Sequence, residues 1–214
     1  MMKTAILFDL DGTLLDTLGD LHAAVNHVLA EFAYPERTIE EVCRFVGNGA
    51  AELMRLAVPT GEDWRPALTA FQSWYATHCD VLTKPYDGIP EVLAALAERY
   101  PLAVVSNKPD RAVKELASIY FPHLYARGES ADCPRKPAPD MVLAAMGALE
   151  ADRCIYIGDS DVDIQTAKNA GVPCISVTWG FRDQACLEEA GGKNFCHDPK
   201  DLATKLEEMM NHGQ

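Results

Sequence analysis

Two aspartates follow the first apolar run of the chain, in the stretch FDLDGT, where Asp9 and Asp11 stand two residues apart. Two carboxylates about 4 Å apart repel each other by roughly 4 kcal/mol at an effective dielectric constant near 20. A divalent cation between them reverses the sign of this interaction, and oxygen ligands without clustered His or Cys favour Mg²⁺. Magnesium held by carboxylates most often serves phosphate chemistry, because it neutralises the oxygens of the transferred group. The alternative is that the Asp-Gly pair forms a turn and that the aspartates are helix caps.

Three further polar clusters follow apolar runs later in the chain. They are Ser106-Asn107-Lys108, Gly158-Asp159-Ser160 and Thr178-Trp179-Gly180. In open α/β sheets, ligands bind outside the carboxyl ends of the strands. If the four apolar runs are neighbouring strands, their polar ends meet in one crevice, and Asp159 adds a third carboxylate to it.

Short apolar runs with β-branched or aromatic residues recur along the chain at TAILFDL, LAVVSN, RCIYIGD and PCISVTW. Nearly continuous hydrophobicity, without alternation, is typical of strands that are covered on both faces, as in a parallel sheet. Between and after these runs, apolar residues recur at helical spacing. The predicted helical segments are 89–100, 111–120, 139–149, 162–170 and 200–210. This order predicts an α/β fold with a doubly wound, Rossmann-like parallel sheet.

A long stretch after the first strand has no strand-like run, and its apolar spacing is helical throughout. Its predicted helices are 18–32, 39–46, 50–57 and 63–78. We interpret residues 17–84 as a small all-helical domain inserted into an α/β core made of residues 1–16 and 85–214. The Pro- and Gly-rich stretch KPYDGIPE marks the return to the core. The aromatic residues expected in the core of the helical domain are Trp64, Trp74 and Tyr75.

The composition restricts the partners and the location of the protein. Hydrophobic residues make up 48% of the 214 positions and charged residues 24%, which is ordinary for a globular protein. The formal net charge of −13 would repel a phosphate backbone, so no nucleic-acid partner is expected. No apolar stretch approaches the roughly 20 residues of a membrane span, so no membrane association is expected. The seven scattered cysteines, without a CxxC pair, indicate reduced thiols in a cytoplasmic protein. The sequence leaves a monomer and a homodimer open.

Four segments of the chain resemble, in order, the four motifs of the haloacid dehalogenase superfamily. FDLDGTLLDT resembles the first motif, DxDGT, and SNK resembles the second, a Ser or Thr that closes a strand. The lysine of RKPAPD resembles the third motif, and GDSDVD resembles the fourth. The helical insertion after the first motif is similar to the small helical cap of that family. The resemblance covers the core almost from end to end.

The resemblance implies a Mg²⁺-dependent phosphatase that works through an aspartyl-phosphate. Asp9 would be the nucleophile. Asp11 would be the general acid toward the leaving alcohol and then the general base for the hydrolytic water. The implied ligands of Mg²⁺ are the Asp9 side chain, the Asp11 backbone carbonyl and the Asp159 carboxylate. Asp163, four residues beyond Asp159, would be a further ligand or a partner of the ligands.

The second and third motifs imply the groups that bind the phosphoryl oxygens. The Ser106 hydroxyl and the Asn107 backbone amide would contact these oxygens. Lys136 would offset the negative charge of the phosphate and of the nucleophile. Lys108 is expected to be a surface residue.

The residue at position 11 narrows the reaction within the superfamily. Dehalogenases lack this second aspartate, because a halide leaving group needs no proton, so Asp11 favours phosphate transfer. The phosphonate-cleaving branch needs a lysine in the cap, and the inserted helices contain none. The cap stretch VGNGAAEL resembles the cap loop of phosphoglycolate phosphatases. Its Gly47, Asn48 and Gly49 would bring backbone amides close to a small anion such as 2-phosphoglycolate.

Other functions of the same residues stay open. A sugar phosphomutase, a pyrophosphatase or a nucleotidase of the superfamily would use the same Asp9 chemistry. Outside the enzymes, a phospho-accepting signalling module resembling a response-regulator receiver also combines acids, Mg²⁺, a hydroxyl and a lysine on a parallel sheet. Those modules have no inserted cap, which disfavours this function. The expected partner is a small phosphorylated metabolite.

Overall fold

The computed structural model, which describes residues 2–212, contains the parallel sheet that the apolar runs predict. Met1, Gly213 and Gln214, which the predicted core domain includes, lie outside the described residues. The strands are β1 (Thr4–Phe8), β2 (Leu15–Asp16), β3 (Lys84–Pro85), β4 (Leu102–Pro109), β5 (Tyr125–Glu129), β6 (Arg153–Gly158), β7 (Cys174–Val177) and β8 (Phe195–Cys196). Six of them pair in the order β5-β4-β1-β6-β7-β8, and every pair is parallel.

Helices cover both faces of this sheet. In chain order they are α1 (Leu18–Glu31), α2 (Ile39–Phe45), α3 (Gly49–Ala57), α4 (Arg65–Tyr75), α5 (Ile89–Ala97), α6 (Asp110–Tyr120), α7 (Asp140–Ala148), α8 (Asp161–Ala170), α9 (Gln184–Glu189) and α10 (Leu202–His212). Side chains of β1 alternate between the faces, since Ile6 packs in one buried cluster and Leu7 in the other. The second cluster contains residues of α7 and α8, while the first contains residues of α5, α6 and α10. The predicted doubly wound α/β fold is confirmed.

The helices α1 to α4 form a bundle, which we call the cap. In it α1 packs against α2 and α4, and α3 packs against α2 and α4. A capping box at the start of α2, between Thr38 and Glu41, satisfies free backbone N–H groups at that end of the helix. Tyr75 is buried in the cap core, as expected, and Trp64 and Trp74 pack against it partly buried.

A short antiparallel ribbon lies where the chain passes between core and cap. It pairs β2, just before the cap, with β3, just after it. Near this ribbon the buried Asp20 accepts hydrogen bonds from the N–H groups of Val81, Leu82 and Thr83, which ties the start of α1 to the returning chain. The ribbon lies at the predicted domain boundaries, after residue 16 and before residue 85, and the division itself stays a prediction.

Within residues 2–212, each helix is either too short or too polar to cross a lipid bilayer.

Candidate active site

The carboxyl ends of β4, β1, β6 and β7 lie side by side, because these four strands are consecutive in the sheet. Asp9 directly follows β1, Ser106 lies in the second half of β4, and Asp159 directly follows β6. All three residues line one cavity of about 210 Å³, whose other wall belongs to the cap. The expected meeting of strand ends in one crevice is confirmed for these residues.

Three buried carboxylates meet at this edge of the sheet. One oxygen of each of Asp9, Asp159 and Asp163 lies within 4.8 Å of the others. Two causes raise the pKa of Asp159 to about 7: the larger is burial, and the second is the charge of Asp163. The same two causes raise the pKa of Asp9 well above its ordinary value. A divalent cation relieves the repulsion between the charged forms of these acids, and carboxylate oxygens are the donors that Mg²⁺ prefers.

Lys136 places a buried ammonium group between two of these acids. Its Nζ lies 2.8 Å from Asp9 Oδ1 and 2.7 Å from Asp163 Oδ1, and it donates to the Tyr156 hydroxyl at 3.1 Å. Burial alone would lower the pKa of Lys136, but the two carboxylates raise it above its ordinary value. The ammonium therefore stays charged and offsets part of the negative charge of the acid cluster.

Both carboxylate oxygens of Asp163 are occupied by protein groups. Oδ1 accepts from Lys136 and from the Tyr156 hydroxyl at 3.0 Å, while Oδ2 accepts from the backbone N–H of Ser160 at 3.1 Å. Ser160 and Asp163 form a capping box at the start of α8, which fixes this acid in the first helical turn. Asp163 is thus a partner of Lys136 and Ser160 in this structure.

The carboxylate of Asp159 is held by two donors and is packed against two glycines. Thr13 Oγ1 donates to Oδ1 at 2.9 Å, and the N–H of Phe181 donates to Oδ2 at 2.8 Å. A Cβ added at Gly12 would lie 2.3 Å from Asp159 Oδ2, and one added at Gly180 would lie 2.4 Å from it. Neither glycine leaves room for a side chain, so the position of Asp159 depends on both.

Ser106 and Asn107 lie next to the acid cluster. Asn107 makes its contacts there through its side-chain amide, and Ser106 through its hydroxyl. The Asn107 amide donates to the carbonyls of Gly47 and Lys136, each at 3.0 Å, and accepts from the N–H of Lys136 at 2.7 Å. The side chain of Asn107, to which no sequence motif points, therefore joins the cap loop to the loop of Lys136. The Ser106 hydroxyl is buried and accepts from the N–H of Lys108 at 3.3 Å; no acceptor among residues 2–212 takes its own hydrogen, which can therefore be donated to a ligand.

Lys108 is buried, and the prediction that it is a surface residue is wrong. It is 5% exposed, and its Nζ lies 2.9 and 3.1 Å from the two carboxylate oxygens of Asp11. It also donates to the hydroxyl of Tyr75 in the cap at 2.8 Å. Burial alone would lower the pKa of Lys108, but Asp11 and Tyr75 raise it. A lysine can be buried here because a carboxylate and a hydroxyl satisfy its charge and its donors.

The cap loop with Gly47, Asn48 and Gly49 lies over the cavity, which the two glycines line. Its carbonyls accept hydrogen bonds from the core: Gly47 from Asn107, and Asn48 from Arg135 at 3.0 Å. The positive φ angles of the two glycines, +120° and +79°, are values that other residues rarely adopt. The loop is therefore held against the core through its carbonyl groups.

Arg182 makes a further contact between core and cap, which the sequence motifs do not indicate. Its guanidinium donates to the carbonyl of Cys43 at 2.9 Å and to that of Val46 at 2.5 Å, both near the carboxyl end of α2. A cation at this end of a helix also interacts favourably with the helix dipole. No feature of the sequence distinguishes Arg182 from a solvated loop arginine, since its partners are carbonyls of a distant segment.

The assembled site can bind and transfer an anionic group. It offers a carboxylate next to an ammonium at Asp9, a second carboxylate at Asp11, a hydroxyl donor at Ser106 and an acid cluster suited to a divalent cation. Group transfer to a carboxylate, with proton transfer by a neighbouring acid, is the chemistry that this combination supports.

Comparisons with known proteins agree with this geometry. The family described as haloacid dehalogenase-like hydrolase matches residues 6–177 of the chain. A phosphoglycolate phosphatase of Rhodobacter capsulatus is 38% identical over 194 residues, which cover 85% of this chain and 87% of that protein. Phosphoglycolate phosphatase 1 of Pseudomonas aeruginosa is 35% identical over 211 residues, which cover 92% of this chain and 77% of that protein.

Solved structures share the whole fold. A crystal structure from Lactobacillus delbrueckii subsp. bulgaricus, of a protein assigned as a phosphoglycolate phosphatase, has a TM-score of 0.88 and 34% sequence identity, and the match covers 94% of this chain and 97% of that chain. A predicted phosphoglycolate phosphatase from Haemophilus somnus 129PT has a TM-score of 0.85 and 26% identity, and the match covers 95% and 98% of the two chains.

Proposed function

The chain belongs to the haloacid dehalogenase-like hydrolase family, and from this premise we propose that it hydrolyses a small phosphomonoester through a phosphorylated aspartate. That it is a phosphatase follows from its similarity to phosphatases over most of its length. The observation that carries the mechanism is the pairing of Asp9 with Lys136, 2.8 Å apart, at the end of a buried strand.

Asp9 and Asp11 would divide the chemistry between them. An oxygen of Asp9 attacks phosphorus, and the bond between phosphorus and the leaving oxygen breaks while Asp11 donates a proton to that oxygen. Asp11 then accepts a proton from a water molecule, whose oxygen attacks phosphorus and displaces Asp9. The cycle releases the alcohol and inorganic phosphate, and it returns both aspartates to their starting states.

Lys136 and Ser106 would support this transfer. The ammonium of Lys136 favours the ionised form of Asp9 and orients it before the attack, and it offsets charge on the phosphoryl oxygens during the attack. The hydroxyl of Ser106, whose hydrogen is free for a ligand, would donate to one of these oxygens. The Asn107 backbone amide would donate to another, while its side chain holds the loop of Lys136 in place.

The acid cluster fits Mg²⁺, because Asp9 and Asp159 offer carboxylate oxygens that lie within 4.8 Å of each other. Asp9 and Asp159 would hold the ion together with the backbone carbonyl of Asp11, and Asp163 would add negative charge beside them. When bound, the ion neutralises oxygens of the transferred phosphoryl group.

Gly180→Ala should weaken Mg²⁺ binding by about 10- to 100-fold, because the new methyl group displaces the Asp159 carboxylate, and losses of this size follow when groups that orient metal ligands are changed. Isothermal titration of the protein with Mg²⁺ measures the effect directly. The matched control is Gly147→Ala, in α7, where nothing lies within 4 Å of an added Cβ. Equal affinities of Gly180→Ala and the wild type would remove Asp159 from the proposed metal site.

For the substrate we propose 2-phosphoglycolate, which the names of the curated relatives indicate. The cavity of about 210 Å³ is small beside the pockets that bind drug-sized ligands, and the cap encloses it. A compact metabolite fits such a site better than a nucleotide or a polymer.

A panel of phosphate esters tests this function. With Mg²⁺ present, the wild-type protein is assayed for phosphate release from 2-phosphoglycolate, pyrophosphate, a nucleoside monophosphate and a hexose phosphate. We expect kcat/KM for 2-phosphoglycolate to exceed the others by at least about 100-fold, and chelation of Mg²⁺ to stop the reaction. Comparable turnover of all four would contradict the glycolate assignment. A retained phosphoenzyme with little released phosphate would instead identify a phosphomutase.

A further inference from the structure

Lys108 and Tyr75 lie in the same cavity as Asp9, yet the proposed chemistry gives them no role. Lys108 comes from β4 in the core, and Tyr75 comes from the last turn of α4 in the cap. The ammonium donates to the Tyr75 hydroxyl at 2.8 Å and lies 4.7 Å from the centre of its ring. Core and cap thus contribute one polar group each to the same point of the cavity wall.

Together these groups are donors suited to an anion. The Tyr75 hydroxyl accepts from Lys108, and within the part of the chain that the structure describes its own hydrogen has no acceptor. Burial raises the pKa of Tyr75, so the hydroxyl keeps this hydrogen. An ammonium and a neighbouring O–H group can bind the two oxygens of one carboxylate.

The charged residues that line the cavity favour Lys108 as the group that binds a carboxylate. The acidic residues of the cavity are Asp9, Asp11, Asp159 and Glu115, and its basic residues are Lys108, Arg111 and Arg182. Arg111 is exposed, and the guanidinium of Arg182 is bound to carbonyls of the cap. Among the described residues that line the cavity, Lys108 is therefore the buried cation whose ammonium is bound by side chains and not by backbone carbonyls.

Lys108 also lies where the leaving group of the reaction must be. Its Nζ contacts both carboxylate oxygens of Asp11, which is the proposed proton donor to the leaving oxygen. A group attached to that oxygen therefore passes close to Lys108. In 2-phosphoglycolate the carboxylate carbon is two bonds from the ester oxygen, so its negative charge falls beside this ammonium.

We propose that Lys108 and Tyr75 form the subsite for the carboxylate of the substrate, so that phosphate esters of 2-hydroxy acids are the preferred class. The proposal rests on the proposed function, because Asp9 and Asp11 define where the phosphoryl group and the leaving oxygen lie. The carboxylate replaces Asp11 as the partner of Lys108, which leaves the Asp11 oxygens free to face the leaving oxygen. Because the two subsite residues belong to different units, the bound carboxylate also joins the cap to the core.

The test compares two esters that differ in one group. Binding of 2-phosphoglycolate and of 2-hydroxyethyl phosphate, in which an uncharged CH₂OH replaces the carboxylate, is measured by isothermal titration with Mg²⁺ present. Asp9→Asn serves as the parent because it cannot form the phosphoenzyme.

We expect the parent to bind 2-phosphoglycolate at least about tenfold more tightly than 2-hydroxyethyl phosphate, because the second ester lacks the charged group that Lys108 and Tyr75 would bind. Adding Lys108→Met should reduce this preference to about twofold or less, and adding Tyr75→Phe should reduce it by about threefold or more.

Controls separate the subsite from a structural role. Lys114→Met removes an exposed lysine of α6 that does not line the cavity, and it should leave the preference unchanged. If Lys108→Met does not fold, Tyr75→Phe, which removes a single hydroxyl, decides the question. A parent without preference, or an equal loss of affinity for both esters in the variants, would overturn the proposal.

The proposed hydrolysis is tested separately, by measuring the release of phosphate from both esters by the wild-type protein. A wild-type protein that prefers 2-phosphoglycolate in binding but releases no phosphate from it would keep the subsite and refute the proposed hydrolysis. A wild-type protein that hydrolyses both esters equally well, with equal affinity in the parent, would keep the reaction and refute the subsite.

Discussion

Asp9→Asn should lose nearly all phosphatase activity, with kcat lower by at least about 10⁴-fold, as for the removal of other catalytic nucleophiles. An amide has almost the same shape as a carboxylate, but it is a poor nucleophile and carries no charge to share with Lys136 and a cation. Because the substitution is nearly isosteric, the loss should appear in the chemical step and not in the fold. Release of phosphate from an aryl phosphate, with Mg²⁺ present, measures it.

The control for Asp9→Asn is another acid-to-amide change away from the cavity. Asp201→Asn, at an exposed position before α10, should retain activity within about twofold, as expected for a surface substitution. Retention of most activity by Asp9→Asn would show that the nucleophile is misassigned, whatever the control does.

Lys136→Met should destabilise the fold by about 3–5 kcal/mol, the usual cost of removing one partner from a buried ion pair. Asp9 and Asp163 would lose their shared ammonium at 2.8 and 2.7 Å, and their repulsion would be left uncompensated. Urea denaturation measures the change as a lower midpoint at an unchanged slope. Added Mg²⁺ should restore part of the stability, because a cation that binds the native cluster neutralises the same acids. Activity should fall by about 10²–10³-fold as well.

A matched lysine on the surface provides the control for this second prediction. Lys114 is 59% exposed and pairs with Asp110 one helical turn away, so Lys114→Met should change stability by about 0.5 kcal/mol or less. A Lys136→Met variant as stable as Lys114→Met would show that the acids near Lys136 are not held by its charge.

The strands that carry the site were the predictable part of the fold. β1, β4, β6 and β7 are nearly continuous apolar runs because both faces of the sheet are covered. Neither edge strand, β5 nor β8, was predicted. The sequence of β5, YARGE, is only partly buried, so it carries no hydrophobic signal, and β5 pairs because β4 offers its free edge. The ends of the helices differ from the prediction by a few residues, since capping and tertiary contacts decide where a helix stops.

Within the site, sequence motifs located the acids and Lys136 but not the groups that cross between core and cap. The contact of Lys108 with Tyr75 joins residues 33 positions apart, and that of Arg182 with Cys43 joins residues 139 apart. A side chain whose partner lies far away in the chain leaves no local pattern in the sequence. The sequence therefore predicts Lys108 to be a surface residue, although in the structure a carboxylate and a hydroxyl face it and allow its burial.

A carboxylate oxygen of Asp9 should become covalently bonded to phosphorus during turnover. The most direct measurement is to mix the wild-type protein with ³²P-labelled substrate and Mg²⁺, quench in acid within one turnover, reduce the acyl phosphate with borohydride and locate the modified residue by peptide mass spectrometry. We expect the quenched protein to carry the label, the residue reduced by borohydride to be the one at position 9, and Asp9→Asn to carry no label. Phosphate release without any phosphoenzyme, or a modification at a different residue, would contradict it.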